Sequence, residues 1–241
     1  MPSSDSMRVL IVENFRNTSL GLVGTALDET GAAQVWSRPW EGEALPASSR
    51  GFDGLVVLGG EQSAVDDRSH PYLPELARLM KRFGDEDKAV LGICLGGQLL
   101  ARAHGGTNLI GQAREFGWHR VSVTEAGGQD PVLSATGGAF PIFQWHSDTF
   151  TLPDGAVHLA HNGAAANQCF RIGRASYGMQ FHFEASRAVV AAWKRDFEAT
   201  MERMRPGWLA DYETHAATDG ALADEAGLAI ARGWVSQVHA A

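Results

Sequence analysis

Residues Lys88–Ala103 read K-A-V-L-G-I-C-L-G-G-Q-L-L-A-R-A, and the order of residue types in this stretch decides the fold. The apolar run Ala89–Ile93 is short enough for a buried strand, and Gln98–Ala103 is a helix-forming run. A strand that turns sharply into a helix exposes the turn residue at the carboxyl end of a sheet, where open α/β folds put their sites. Here that residue is Cys94, with Gly92 two positions before it and Gly96 two after. A strained elbow needs small residues at those places, because side chains would collide with the turn. The start of the following helix offers backbone N–H groups and a partial positive charge, both of which favour a thiolate. The stretch therefore predicts a nucleophile.

Working outward, Arg8–Val12 (R-V-L-I-V) predicts a buried, central, parallel strand, and Thr18–Thr30 a helix stopped by Gly31. Gln34–Ser37 and Phe52–Leu58 are further strand candidates, separated by a loop with Pro39 and Pro46. A helix is expected over His70–Phe83, opened by Pro71, with Leu73, Leu76, Leu79 and Met80 on its buried stripe. Beyond the elbow helix, ended by Gly105–Gly106, come short strand-like runs at Arg120–Thr124, Ala139–Gln144, Ala156–His161, Gln168–Ile172 and Ser176–Phe181. The segment around Trp145–His146–Ser147–Asp148 reads as loop, and Ala185–Met204 and Ala221–Val238 read as helices. Strands alternating with helices imply an α/β fold: a mostly parallel central sheet with helices on both faces, a small antiparallel addition at one edge, and C-terminal helices. No repeat or linker divides the chain, so residues 1–241 are expected to form a single domain, with a core over about 7–190 and a helical extension over about 190–241.

The chain has 241 residues, 44% of them hydrophobic and 20% charged, enough for an ample core. A net charge of −8 without a Lys/Arg run argues against nucleic acid or an anionic membrane as partner. Two cysteines make no disulfide framework and suit a reducing compartment. Met1–Met7 is polar and lacks the apolar core of a signal peptide, and no run approaches the roughly 20 residues of a spanning helix. A cytoplasmic protein is expected.

A thiolate acting on an amide needs a base that returns a proton to the leaving amine. In Gln180–Phe181–His182–Phe183–Glu184, extended backbone would put His182 and Glu184 on one side and Phe183 on the other. One ring nitrogen then meets Cys94 while the carboxylate holds the second. The turn Gly59–Gly60 and the N–H of Leu95 supply donors for a developing oxyanion. Each group also has a plainer reading. Cys94 alone would pass for a buried thiol, His182 and Glu184 for a surface ion pair, Gly59–Gly60 for a tight turn, and Gln98 for a helix-surface residue. Cys169 reads as a small buried hydrophobe. His158 and His161, three apart in a strand, face opposite sides, so no metal site is expected. His146 is either a structural hydrogen-bonder or a residue at the rim of the pocket. Asp66 and Asp67 read as a solvated turn.

Gly92-Ile-Cys94-Leu-Gly96-Gly-Gln98 resembles the G-x-C-x-G-x-Q signature of the class I (triad) glutamine amidotransferases, and Phe181-His182-Phe183-Glu184 resembles their F-H-x-E. The order Cys, His, Glu fits, as does the glycine turn at Gly59–Gly60. Trp145-His146-Ser147-Asp148 and Asn167-Gln168-Cys169-Phe170 are similar to further family stretches, so the likeness covers about Arg8–Glu184 and is nearest the stand-alone GMP-synthase-type amidotransferase domain. The resemblance implies a flavodoxin-like fold and a triad of Cys94, His182 and Glu184 that cleaves the glutamine amide through a γ-glutamyl thioester. It also implies a pocket lined by Gly59, Gly60, Leu95 and Gln98, with the backbone at Ser147–Asp148 meeting the substrate's α-amino or carboxylate end. No cofactor or metal is implied. The partners implied are glutamine or a related γ-glutamyl substrate and a separate synthetase or acceptor subunit; a homo-oligomer stays open. Phe183 departs from the usual proline, and Glu61 stands where many members have proline after the glycines. No synthetase sequence follows within the 241 residues, which keeps a γ-glutamyl hydrolase or peptidase as an alternative.

Overall fold

The computed structural model describes residues 6–238; of the opening Met1–Met7 stretch and the C-terminal extension, residues 1–5 and 239–241 lie outside it. In chain order the elements are β1 (Arg8–Val12), α1 (Gly21–Glu29), β2 (Ala33–Ser37), β3 (Gly54–Val57), α2 (Leu73–Asp85), β4 (Ala89–Ile93), α3 (Leu95–Ala103), β5 (Asn108–Leu109) and β6 (Glu115–Val123). There follow α4 (Glu125–Gln129), β7 (Ala139–His146), β8 (Thr149–Phe150), β9 (Val157–His161), β10 (Cys169–Ile172), β11 (Ser176–Met179), α5 (Arg187–Met204), α6 (Tyr212–Ala217) and α7 (Asp219–Val235).

Nine strands form one sheet in the order β2-β1-β3-β4-β11-β10-β9-β6-β7. The first five run parallel and the last four add antiparallel. The expected antiparallel addition is thus a continuation of the central sheet, and a separate two-stranded sheet pairs β5 with β8. Among the parallel strands, the inner β3, β4 and β11 are buried on both faces, as continuous apolar runs require, and the edge strand β2 is half-buried. Alternation then divides their side chains. Val9, Ile11, Val56, Leu91 and Ile93 face one apolar layer with α1, α5 and α7, while Leu10, Val12, Leu55, Val57 and Val90 face the other with α2 and α3.

Several boundaries differ from expectation for local reasons. The first helix begins at Gly21, where Ser19 Oγ accepts the Gly21 N–H. The second begins at Leu73 with Pro74, not Pro71, in its first turn, where a missing N–H costs nothing. Trp145 and His146 belong to β7 and are not loop. The last parallel strand stops at Met179, because the chain leaves β4 and bends to donate the His182 N–H to Phe143 O at 2.8 Å.

Candidate active site

Cys94 sits at φ 52°, ψ −106°, between β4 and α3, a conformation that side-chain-bearing residues rarely adopt. Its neighbours make the bend possible. A Cβ on Gly92 would lie 2.3 Å from Gly96 O, and one on Gly96 would lie 2.1 Å from Val57 O. The elbow is stitched to the adjoining strand by the Cys94 N–H, which donates to Met179 O at 2.7 Å. Because β4 and β11 are parallel neighbours, with Ile93 level with Met179, the residues just beyond both strands emerge side by side. That adjacency brings His182 to Cys94.

His182 Nδ1 and Glu184 Oε1 are 2.6 Å apart, and both residues are buried. Strand alternation predicts this pairing, but residues 183–184 form a turn. With Nδ1 held, Nε2 is the nitrogen left for the sulfur; the ring's Cε1 and Nε2 and the Cys94 Cβ all crowd Gly59. Burial alone would strip the His182 ring of its proton. The charges of Glu184 and Cys94, with hydrogen bonds to both, outweigh it and hold the His182 pKa well above the ordinary value. Glu184 Oε2 is buried without a hydrogen-bond partner among the described residues, so the carboxylate directs its charge to the ring.

A cavity of about 390 Å³ opens over this pair. All the other sequence-predicted residues line it: Gly59, Gly60, Leu95, Gln98, Ser147 and Asp148. As the first residue of α3, Leu95 has an N–H with no intrahelical acceptor, and Gly60 packs against the Leu95 side chain. The buried Gln98 turns its amide nitrogen toward Asp148 O (3.4 Å) and Gln180 Oε1 (3.3 Å). Asp148 Oδ1 accepts the Gly111 N–H at 2.8 Å, so its carboxylate is already engaged in shaping the turn. His146 combines both of its expected readings. It lines the cavity, faces Asp148 O with Nδ1 at 3.0 Å, and places Nε2 3.2 Å from the Glu115 carboxylate.

One buried residue beside the sulfur and two groups of wall residues escaped the sequence reading. Gln180 is fully buried and donates its amide N–H to Cys94 Sγ at 3.8 Å. The loop Phe15–Thr18, between β1 and α1, lies at the carboxyl edge of the sheet, a place the topology alone marks. On α5, Trp193, Phe197, Thr200 and Met204 recur at helical spacing and face the cavity, a stripe indistinguishable in sequence from packing.

The remaining candidates stand apart. Cys169 is fully buried in β10, where burial and the charge of Asp130 push its thiol pKa well up. Asp67 pairs with Arg102 of α3 at 2.6 Å. The His158 and His161 rings lie 6.1 Å apart, and no three His, Cys, Asp or Glu side chains gather as a ligand set among the described residues. No helix among those residues is long and apolar enough to cross a membrane.

The chain is similar in sequence and in fold to several known proteins. A family model described as glutamine amidotransferase class-I matches residues 22–190. The glutamine amidotransferase-like protein YfeJ of Salmonella typhimurium is 34% identical over 181 residues, 74% of this chain and 76% of that protein. One component of the glutamine-hydrolyzing GMP synthase of Methanosarcina mazei, a separate subunit, is 31% identical over 136 residues, 56% of this chain and 65% of that one. Among solved structures, a glutamine amidotransferase from Methylobacillus flagellatus superposes with a TM-score of 0.84 at 26% identity, covering 99% of this chain and 97% of that one.

Proposed function

The chain belongs to the class-I glutamine amidotransferase family, enzymes built on a Cys-His-Glu triad, and from that premise we propose that it hydrolyses the side-chain amide of glutamine through Cys94, His182 and Glu184. The observation that carries the proposal is a single juxtaposition: a cysteine on a strained elbow beside an imidazole whose far nitrogen is locked to a buried carboxylate at 2.6 Å. Cys94 Sγ adds to the side-chain carbonyl, and the N–H groups at Gly60 and Leu95 receive the oxyanion. His182 Nε2 gives its proton to the departing nitrogen, which leaves as ammonia. Water then attacks the γ-glutamyl thioester, His182 takes the water's proton, and glutamate departs from the restored thiol. Gln98 and the Ser147–Asp148 turn hold the amino-acid end. Gln98 acts by fixing the Asp148 carbonyl.

The relative that forms part of a GMP synthase supports a further part of the reading, that the ammonia passes to a separate acceptor or synthetase subunit. No cofactor enters any step. Two free cysteines, one of them the nucleophile, fit the reducing conditions of the cytoplasm.

The test is release of ammonia from glutamine, together with a mass spectrum after incubation with 6-diazo-5-oxo-norleucine. The adduct is expected on Cys94 and not on Cys169, and Cys94→Ala is expected to abolish turnover while leaving the circular dichroism spectrum intact. Unaltered turnover in that variant refutes the mechanism.

A further inference from the structure

The cavity is larger and more aromatic than ammonia release requires. Its volume of about 390 Å³ falls within the roughly 300–1,000 Å³ of pockets that hold drug-sized molecules. On the side of His182, where a leaving group must depart, rings line the wall without a break. Trp193 meets the His182 ring edge-on at 5.5 Å; Trp145 lies 5.5 Å from Trp193, Phe197 6.0 Å from Trp145, and Phe15 6.3 Å from Phe197. Two guanidinium groups stand where this run reaches solvent. Arg16 lies 5.8 Å from the centroid of Phe15, and Arg203 donates to Thr200 Oγ1 at 2.8 Å. Both line the cavity, and neither meets a carboxylate within salt-bridge distance among the described residues. The acids on the wall are Glu61, on the glycine turn, and Asp148, whose Oδ1 is taken by Gly111.

Ammonia is small and strongly hydrated, and it gains nothing from a corridor of rings. An amine with a flat or apolar side chain would stack there on the faces and edges of the rings. A carboxylate on the same amine would find the guanidinium groups. We infer that the leaving-group side of the pocket is built for γ-glutamyl amino acids whose amine half carries an apolar or aromatic side chain and a free carboxylate. The inference rests on the thioester reading above and changes only what departs. The Sγ–C bond forms at the γ-carbonyl, the C–N bond breaks, and the amino acid leaves with the proton from His182 Nε2. Water then divides the thioester into glutamate and thiol.

Three matched amides decide the question: glutamine, γ-glutamylphenylalanine, and γ-glutamylphenethylamine, which has the ring without the carboxylate. The expected kcat/KM for γ-glutamylphenylalanine exceeds that for either of the others by roughly tenfold. In the double variant Arg16→Met/Arg203→Met, the preference for γ-glutamylphenylalanine over γ-glutamylphenethylamine should shrink about fivefold. Glutamine turned over as well as γ-glutamylphenylalanine, or a preference unchanged in the double variant, overturns the inference. Labelling by 6-diazo-5-oxo-norleucine separates the two levels. A chain labelled on Cys94 that ignores γ-glutamylphenylalanine sinks this inference alone, whereas a chain that is neither labelled nor active on any amide sinks the thioester reading with it.

Discussion

Glu184 is fully buried against His182, and that placement sets a pH dependence with a definite sign. The folded His182 pKa stands well above its ordinary value of 6.5, so the folded state holds a proton that the unfolded chain has released. Stability from this group is therefore complete below about pH 6.5 and is lost as pH rises through the folded pKa. Glu184→Gln keeps the shape and removes the charge, and burial then pulls the ring's proton off at lower pH. Urea denaturation from pH 6 to 9 should show a falling stability in the parent chain and a flatter profile in Glu184→Gln; parallel profiles would mean the carboxylate does not hold that proton. Gln180 is the second lever. Its amide donor is aimed at the sulfur, so Gln180→Leu should slow the alkylation of Cys94 by iodoacetamide at fixed pH about fivefold. An unchanged rate would leave Gln180 a packing residue. Gln180 is visible in the sequence beside His182, but nothing in its spacing tells that its amide turns toward the sulfur. Only the adjacency of β4 and β11 does that.

Two helices hold the triad turn from behind by their backbones. The Leu22 N–H at the start of α1 donates to Glu184 O at 2.9 Å, and a Cβ on Gly21 would lie 1.9 Å from the same oxygen. On α7, a Cβ on Gly227 would lie 2.3 Å from Phe183 O. Gly21 and Gly31 therefore make a controlled pair. Both have positive φ, 46° and 69°, but Gly31 has nothing within 4 Å of the added atom. Gly31→Ala should cost about 1 kcal/mol of stability from backbone strain and leave kcat/KM where it was. Gly21→Ala should carry the same strain and also push Glu184 away from His182, lowering kcat about a hundredfold, by analogy with the loss of a triad orienter. Equal kinetics in the two variants would show that α1 does not position the carboxylate. The parallel strands were legible because burial on both faces leaves continuous apolar runs such as V-L-I-V and A-V-L. The wall made by α5 was not, because Trp193, Phe197 and Met204 have the spacing any packed helix has. The short α4 and α6 carry too few turns to leave a period.

At the scale of the molecule, the residues beyond the matched stretch 22–190 divide between two tasks. Trp193, Trp208 and Tyr212 interleave with Phe116, Trp118, Phe143 and Trp145 of β6 and β7, with ring centroids 4.9–6.0 Å apart. Trp234, on α7, is fully buried beneath the parallel strands and donates its indole N–H to Val90 O at 3.3 Å. The sequence predicts helices here without telling whether they cover the site or meet another protein, since an amphipathic stripe names no partner. In the structure their apolar faces turn inward onto the layer that contains Cys94 and Phe183. A chain ending at residue 190 therefore loses one side of that layer. Removing a buried Trp or Ile side chain costs about 2–5 kcal/mol, and total stability is about 5–15 kcal/mol, so losing Trp193, Trp208, Ile230 and Trp234 together exceeds what the fold holds in reserve. The truncated chain is expected to be insoluble or to bind ANS without a cooperative thermal transition. Trp234→Ala in the full chain should fold, with its midpoint lowered by several degrees. A soluble 1–190 fragment with a cooperative transition would instead make α5 to α7 an appended layer, and the triad turn would then owe its position to α1 and the sheet alone.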